Sequence, residues 1–338
     1  MPFSTTVHKY WSSSKGMSLQ FYQQLLKSLP RGDVAIATVI ATIGSVPREV
    51  GAKMALCADG TRLDTVGGGA GEAKVLSTME QVLASGDPQK VAIDLSGAVQ
   101  RVTEGVCGGQ MQVWVAKWSG EGAIALTQAI LDHLNQGYSV RLFIPFSPRL
   151  SPHILTENTP QPSQDQGFID FIEPSPMLLI IGAGHVGEKL AQVATLLDFQ
   201  VIIQDDRPQW ANRDRFPSAL AIFTAPLSTV LEQWPYHHPL YIAMVTRGYD
   251  YDLQALTSLL EHPIPHRYIG MIGSAKRVHK VRKTLADRPF PLEKLNTIHA
   301  PIGLDIGALT PAEIALSIAA ELVLVQRGGT GVPLSRVI

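Results

Sequence analysis

The sequence predicts a two-part α/β protein whose second part is a parallel sheet with helices on both faces. Three observations carry this. At 338 residues the chain exceeds what one ordinary core takes up and suits two domains. The first half mixes β-branched runs and helically spaced runs around glycine-rich turns. From Met177 onward, short apolar runs alternate with helical stretches, the pattern of repeated βαβ units.

Taken in order, Met17 to Leu29 places apolar residues at helical spacing, and Pro30-Arg31-Gly32-Asp33 ends it. Val34 to Ile43 reads as a buried strand, rich in β-branched residues. After a glycine-punctuated stretch from Gly44 to Gly71, the pattern gives a helix over 70–83, strands over 91–95 and 111–118, a helix over 123–134 and a strand over 139–144. Pro145 to Pro176 holds seven prolines, many polar residues and one weak strand candidate near 168–172. Such a stretch lacks the apolar surface for its own core and reads as a linker, so the expected division is 1–146, linker 147–176 and 177–338. Beyond it come strands over 177–181, 200–204, 220–223, 240–245, 268–271 and 298–301. Helices fit between them, and a long helix over 311–325 closes the chain.

Composition narrows the function classes. Lys plus Arg (28) nearly balances Asp plus Glu (29), which argues against nucleic acid, since a phosphate-backbone binder needs a concentrated basic face. No run of about 18 apolar residues predicts a membrane span. The N-terminus lacks the apolar run of a secretory signal, and two cysteines, Cys57 and Cys107, make no disulfide framework. A cytoplasmic protein is expected.

Gly182-Ala183-Gly184-His185-Val186-Gly187 is a GxGxxG run between an apolar strand and a helix, and makes the second domain Rossmann-like. Gly182 allows a tight turn, Gly184 the approach of a phosphate and Gly187 close helix–strand packing. Asp205, 23 positions after Gly182, is placed to bind a ribose hydroxyl, and Arg207 leaves a 2′-phosphate open. A nucleotide or NAD(P) is therefore a candidate ligand, against a fold that keeps its glycines for packing. His185 either faces solvent or touches that ligand. Gly273-Ser274, before a helix with Lys276 and Arg277, suits either an anion or a simple cap.

The first half carries the less ordinary residues. Ser45, Arg48 and Lys53 lie in a turn between two strands, and Gly67-Gly68-Gly69 with Glu72 follows. Consecutive glycines can aim several amides at one anion, with Arg48 and Lys53 supplying charge. Cys107 is flanked by Gly108 and Gly109, which bare one side of a thiol whose thiolate binds soft metals and attacks sulfur. Cys57, within a strand-like run, reads as a small buried hydrophobe.

Together these motifs resemble the XdhC/CoxI family, accessory factors for molybdenum hydroxylases such as xanthine dehydrogenase. The resemblance rests on GSVPREVGAKM (44–54), TVGGGAGE (65–72) and VCGGQM (106–111). In the second half it rests on LLIIGAGHVGEKLA, DDRPQWANRDRFP, TRGYDYD, YIGMIGSAKR and the long run from His299 to Leu322. It implies a protein that binds the molybdenum cofactor (molybdopterin), shields it, supports exchange of an oxo ligand for sulfur and hands it to the apo molybdenum hydroxylase. Cys107 then falls on the family's cofactor-binding cysteine, a possible molybdenum ligand. The implied partners are that hydroxylase, a cysteine desulfurase and molybdenum cofactor biosynthesis proteins, and a homo-oligomer is plausible. Gly71, Tyr249 and Leu309 depart from the family's pattern. Two other readings stand beside this one. An NAD(P)-dependent oxidoreductase follows from the fingerprint alone, although His185, His299 and Asp250 form no recognisable acid–base pair. The other is a nucleotide-sensing scaffold.

Overall fold

A computed structural model describes residues 13–14, 18–95, 108–234, 236–290 and 292–336. Two compact units meet in sequence between Pro174 and Ser175.

In the first unit the strands are β1 (Ser13–Ser14), β2 (Val34–Ile43), β3 (Lys53–Cys57), β4 (Arg62–Asp64), β5 (Gln89–Asp94), β6 (Gln110–Trp118), β7 (Val140–Pro145), β8 (His153–Ile154) and β9 (Gly167–Ile172). The helices are α1 (Ser18–Ser28), α2 (Gly69–Ser85) and α3 (Gly120–Asn135). An antiparallel sheet runs β4-β3-β2-β6-β5, with a bulge between Val39 and Ala41. Side chains alternate along a strand, so β2 serves two cores. Ala35, Ala37 and Val39 meet Val75, Met79 and Val82 of α2, while Val34 and Ile36 join α1, α3 and a second sheet, β1-β9-β7-β8. Both faces are covered, which explains why β2 carries apolar residues on both sides instead of alternating with polar ones.

That second sheet corrects the linker expectation. The proline-rich segment ends in β9, which pairs with β7 from Val140↔Ile172 to Pro145↔Gly167 and is buried along almost its whole length. Gly167 is required there: a Cβ would lie 2.5 Å from the Ile144 carbonyl oxygen. The strand is faint in sequence because Asp170 interrupts its apolar run, and the residue that makes that aspartate tolerable, Lys53, is 117 positions away.

The second unit is all parallel. Its strands β10 (Met177–Ile181), β11 (Gln200–Gln204), β12 (Ala221–Phe223), β13 (Leu240–Met244) and β14 (Tyr268–Met271) lie in the order β12-β11-β10-β13-β14. This is the doubly wound Rossmann order, with its switch point between β10 and β13. Helices α4 (His185–Leu196) and α9 (Pro311–Arg327) pack on one face, against Leu178, Ile180, Val201 and Ile203. Helices α5 (Leu227–Glu232), α6 (Tyr249–Glu261), α7 (Ala275–Ala286) and α8 (Leu292–Asn296) cover the other, where Leu179, Ile181, Ile202 and Ile242 point. A capping box fixes the start of α9: Thr310 accepts from the Glu313 amide, Glu313 accepts from the Thr310 amide, and Pro311 occupies the first turn. The strand expected over 298–301 is only a bridge, Gly270↔His299, because Pro301 has no amide to extend the ladder.

Candidate functional site

In the first unit, three of the glycine-bearing motifs converge on one end of the antiparallel sheet. Gly109 lies so close to the 43–46 turn that a Cβ would fall 2.3 Å from the Ser45 carbonyl oxygen, and Gly67 is pressed equally hard against Pro47. The Gly108 amide donates to Leu95 O (2.9 Å), and Leu95 N donates to Gly109 O (2.8 Å). Ser45, Gly68 and Gly108 are exposed at this rim, and open space surrounds the Cβ positions of Gly68 and Gly108. Cys107 lies outside the described residues.

The geometry corrects the anion-nest expectation. Glu72 itself fills the nest: its carboxylate accepts from the Gly68 amide (3.0 Å) and from the Thr65 hydroxyl, while the Gly67 amide is bound by Thr65 Oγ1 (3.0 Å). Arg48 donates to Asp64 (2.8 Å) and to the Thr65 carbonyl (3.1 Å), clamping the turn rather than offering a charge to a ligand. Lys53 is not at the rim's surface. It is buried between the two sheets, ion-paired with the fully buried Asp170 and donating to Gly51 O (2.9 Å). An ammonium stripped of water needs such partners.

In the second unit, a crevice of about 290 Å³ opens at the carboxyl ends of the strands, lined in part by Gly182, Asp206, Thr246, Arg247, Tyr251 and Gln254. Above it the fingerprint loop is held on three sides. Gly182 N donates to Gln204 O (2.8 Å), Ala183 N to Asp205 (2.8 Å), and Arg215 to the Ala183 carbonyl (2.6 Å). Gly182 (φ +115°) and Gly187 are demanded by packing, their Cβ positions falling 2.6 Å from Val245 O and 2.1 Å from Gly182 O. Gly184 is different. Its φ of −69° suits any residue, and nothing lies within 4 Å of its Cβ position. His185 is exposed at the start of α4, with its ring edge-on to Trp210.

Asp205, the residue expected to bind a ribose hydroxyl, lines the crevice but is bonded within the protein. Its Oδ1 accepts from Arg207 N (3.1 Å) and Arg207 Nε (2.8 Å), and its Oδ2 from Ala183 N (2.8 Å) and an Arg207 Nη (2.8 Å). Those four bonds fill the roughly four acceptor positions of a carboxylate. Arg207 is thereby committed as well. The neighbouring Asp206 is solvent-exposed and bound by Arg247 through two parallel bonds of 2.9 and 3.1 Å, and Arg247 in turn stacks on Tyr251 with 3.6 Å to the ring centre.

Gly273 and Ser274 form a cap. Ser274 Oγ accepts from Arg277 N (3.3 Å), and the Arg277 side chain turns inward to the buried Asp252 and to Thr246. A second buried carboxylate, Glu321 of α9, accepts from the Tyr268 hydroxyl, from Gly303 N (2.7 Å) and from His299 Nδ1 (2.8 Å), tying the 299–303 loop to the helix. Of the acid–base candidates, His185 borders Trp210, His299 borders Glu321, and Asp250 is exposed in the first turn of α6. Among the described residues no three His, Cys, Asp or Glu converge as a metal-binding group, and no helix is long and apolar enough to cross a membrane.

The family model of the XdhC Rossmann domain matches residues 178–322, and that of the XdhC and CoxI family matches residues 30–94. The chain belongs to the XdhC/CoxI family. It is 27% identical over 329 residues to a probable xanthine dehydrogenase subunit of Bacillus subtilis, covering 87% of this chain and 94% of that one. It is 26% identical to the uncharacterized protein YqeB of Escherichia coli, covering 88% of this chain but only 44% of that relative's length. A crystal structure of a xanthine dehydrogenase from Bacillus halodurans superposes with a TM-score of 0.75 at 25% identity, over 94% of this chain and 99% of that one.

The positions that depart from the family's pattern have local roles. Gly71 leaves room for Ile93, whose Cγ2 lies 2.8 Å from where a Cβ would stand. The Tyr249 hydroxyl bonds Thr284 (2.8 Å) under Lys280. Leu309 is exposed.

Burial pushes the Glu72 and Asp205 carboxyls up. The Thr65 hydroxyl and the amides of Gly68, Val66 and Gly67 around Glu72 outweigh it, as do Arg207 and the Ala183 amide around Asp205, so both sit below the usual carboxylate range. A carboxyl lowered on folding stabilises fully above its unfolded value, about 4, and loses that contribution as pH falls through the folded value. Urea midpoints are expected to fall between about pH 5 and pH 3. Glu72→Gln should flatten this acid limb for the first unit. An unchanged limb would show that the carboxylate does not hold the nest.

Proposed function

We propose that this protein is a maturation factor for a molybdenum hydroxylase such as xanthine dehydrogenase, holding the molybdenum cofactor at the rim of the first unit. The observation that carries the reading is the convergence of the 44–48, 65–72 and 108–109 segments, with open space at the Cβ positions of Gly68 and of Gly108, the latter next in sequence to Cys107. A thiolate flanked by glycines suits a sulfur-rich, soft-metal group, and its reactivity depends on a lowered pKa. When bound, that group supplies a metal whose oxo ligand is exchanged for sulfur. On the protein side Cys107 is the proposed contact, Gly108 leaves its flank open, and Ser45 lines the approach. The proposed partners are the apo-hydroxylase that receives the cofactor, a cysteine desulfurase that supplies sulfur, and the biosynthesis proteins that deliver the cofactor.

The test is purification from a host that makes molybdopterin, followed by metal analysis and pterin fluorescence. The wild-type protein should carry pterin, and Cys107→Ala should lose at least tenfold of it while keeping its melting profile. No pterin in any wild-type preparation overturns the reading, and an undiminished load in the variant removes Cys107 from it.

A further inference from the structure

The crevice of the second unit has features that cofactor hand-over at the first unit's rim does not use. We infer that it binds an adenosine 5′-diphosphate unit with a free 2′-hydroxyl, recognised by Asp206 rather than Asp205. This goes beyond the maturation reading and does not rest on it.

Five observations carry the assignment. The cavity lies at the carboxyl ends of the strands beside the switch point, where doubly wound sheets take ligands. Gly184 is a glycine that neither its backbone angles nor its neighbours require, so its missing side chain leaves room above the first amides of α4 for a diphosphate. Asp205 and Asp206 both line the crevice, but Asp206 uses two of its roughly four acceptor positions on Arg247, leaving two for the hydroxyls of a ribose, whereas Asp205 has none left. The Arg247 guanidinium, backed by Tyr251, gives a planar cationic surface on which a base can stack. Gln254, also in the lining, offers the paired donor and acceptor that match N6 and N7 of adenine.

The same geometry selects against a 2′-phosphate. It would face the Asp206 carboxylate, while both nearby arginines are held bidentately by aspartates.

Titration calorimetry of the full chain with ADP, GDP, NAD⁺ and NADP⁺ tests this. ADP and NAD⁺ should saturate one site, with NADP⁺ at least tenfold weaker than NAD⁺. Asp206→Asn should weaken ADP at least tenfold, and Gly184→Val should weaken ADP while leaving adenosine unchanged. Absence of saturable ADP binding to the folded wild-type protein overturns the site. NADP⁺ as tight as NAD⁺ overturns the role of Asp206, and GDP as tight as ADP overturns the adenine assignment. The wild-type comparisons stand even if a variant fails to fold, and pterin content is measured separately, so either reading can fail alone.

Discussion

Lys53→Met is expected to destabilise the first unit by about 3–5 kcal/mol, because it leaves Asp170 buried between two sheets without its countercharge. The surroundings offer little relief: among the described residues Asp170 Oδ1 has no hydrogen-bond partner, and neither do Tyr22 Oη and Trp114 Nε1. Burial pushes the Asp170 carboxyl up while Lys53 pulls against it, so removing Lys53 leaves burial unopposed. A carboxyl raised on folding favours the folded state below its unfolded value and loses that contribution as pH rises. The gap between variant and wild type should therefore narrow in acid. Lys53→Met with Asp170→Leu should recover most of the loss, since apolar replacements of a buried pair are often neutral or better. Urea unfolding of the four proteins in this cycle measures it. A single-mutant cost below about 1 kcal/mol would mean that water reaches the pair.

Gly187→Ala should cost the second unit about 3 kcal/mol or more, because the new Cβ would stand 2.1 Å from the Gly182 carbonyl oxygen and lever α4 away from β10. Gly184→Ala, three residues earlier, should change stability by less than about 1 kcal/mol, since its backbone is ordinary and its surroundings are open. Hydrogen exchange should place the first loss in β10, α4 and β11. Equal costs at the two positions would mean that the fingerprint is shaped by packing throughout.

That contrast also marks how far the sequence can be read. The second unit is legible because local signals agree: strand, glycine run, helix and the following strand all fall within 30 residues. Spacing alone picks Asp205, whose carboxylate is taken up within the fold, although a signal for the neighbouring Asp206 exists. Alternation along β11 sends Val201 and Ile203 to the α4 face and Ile202 to the other, and carrying it past the strand puts Asp206 on the Ile202 side. Arg247 and Tyr251 escape a reading of the sequence because they follow β13, Arg247 standing 41 positions after Asp206, and only the sheet order brings them together. The first unit is harder. Lys53 looks like a surface cation because its partner belongs to a strand hidden among prolines, and Glu72 looks like the start of a helix when it also closes the loop before it.

Glu72 has one further effect on chemistry at the rim. Tethered four residues from the Gly68 amide, its carboxylate is an intramolecular competitor present at an effective concentration of about millimolar order. A ligand that approaches the triple glycine must displace this built-in occupant, so weak anions are turned away and only a group with additional holds nearby can lodge there. Acid, by neutralising the occupant, lifts the blockade.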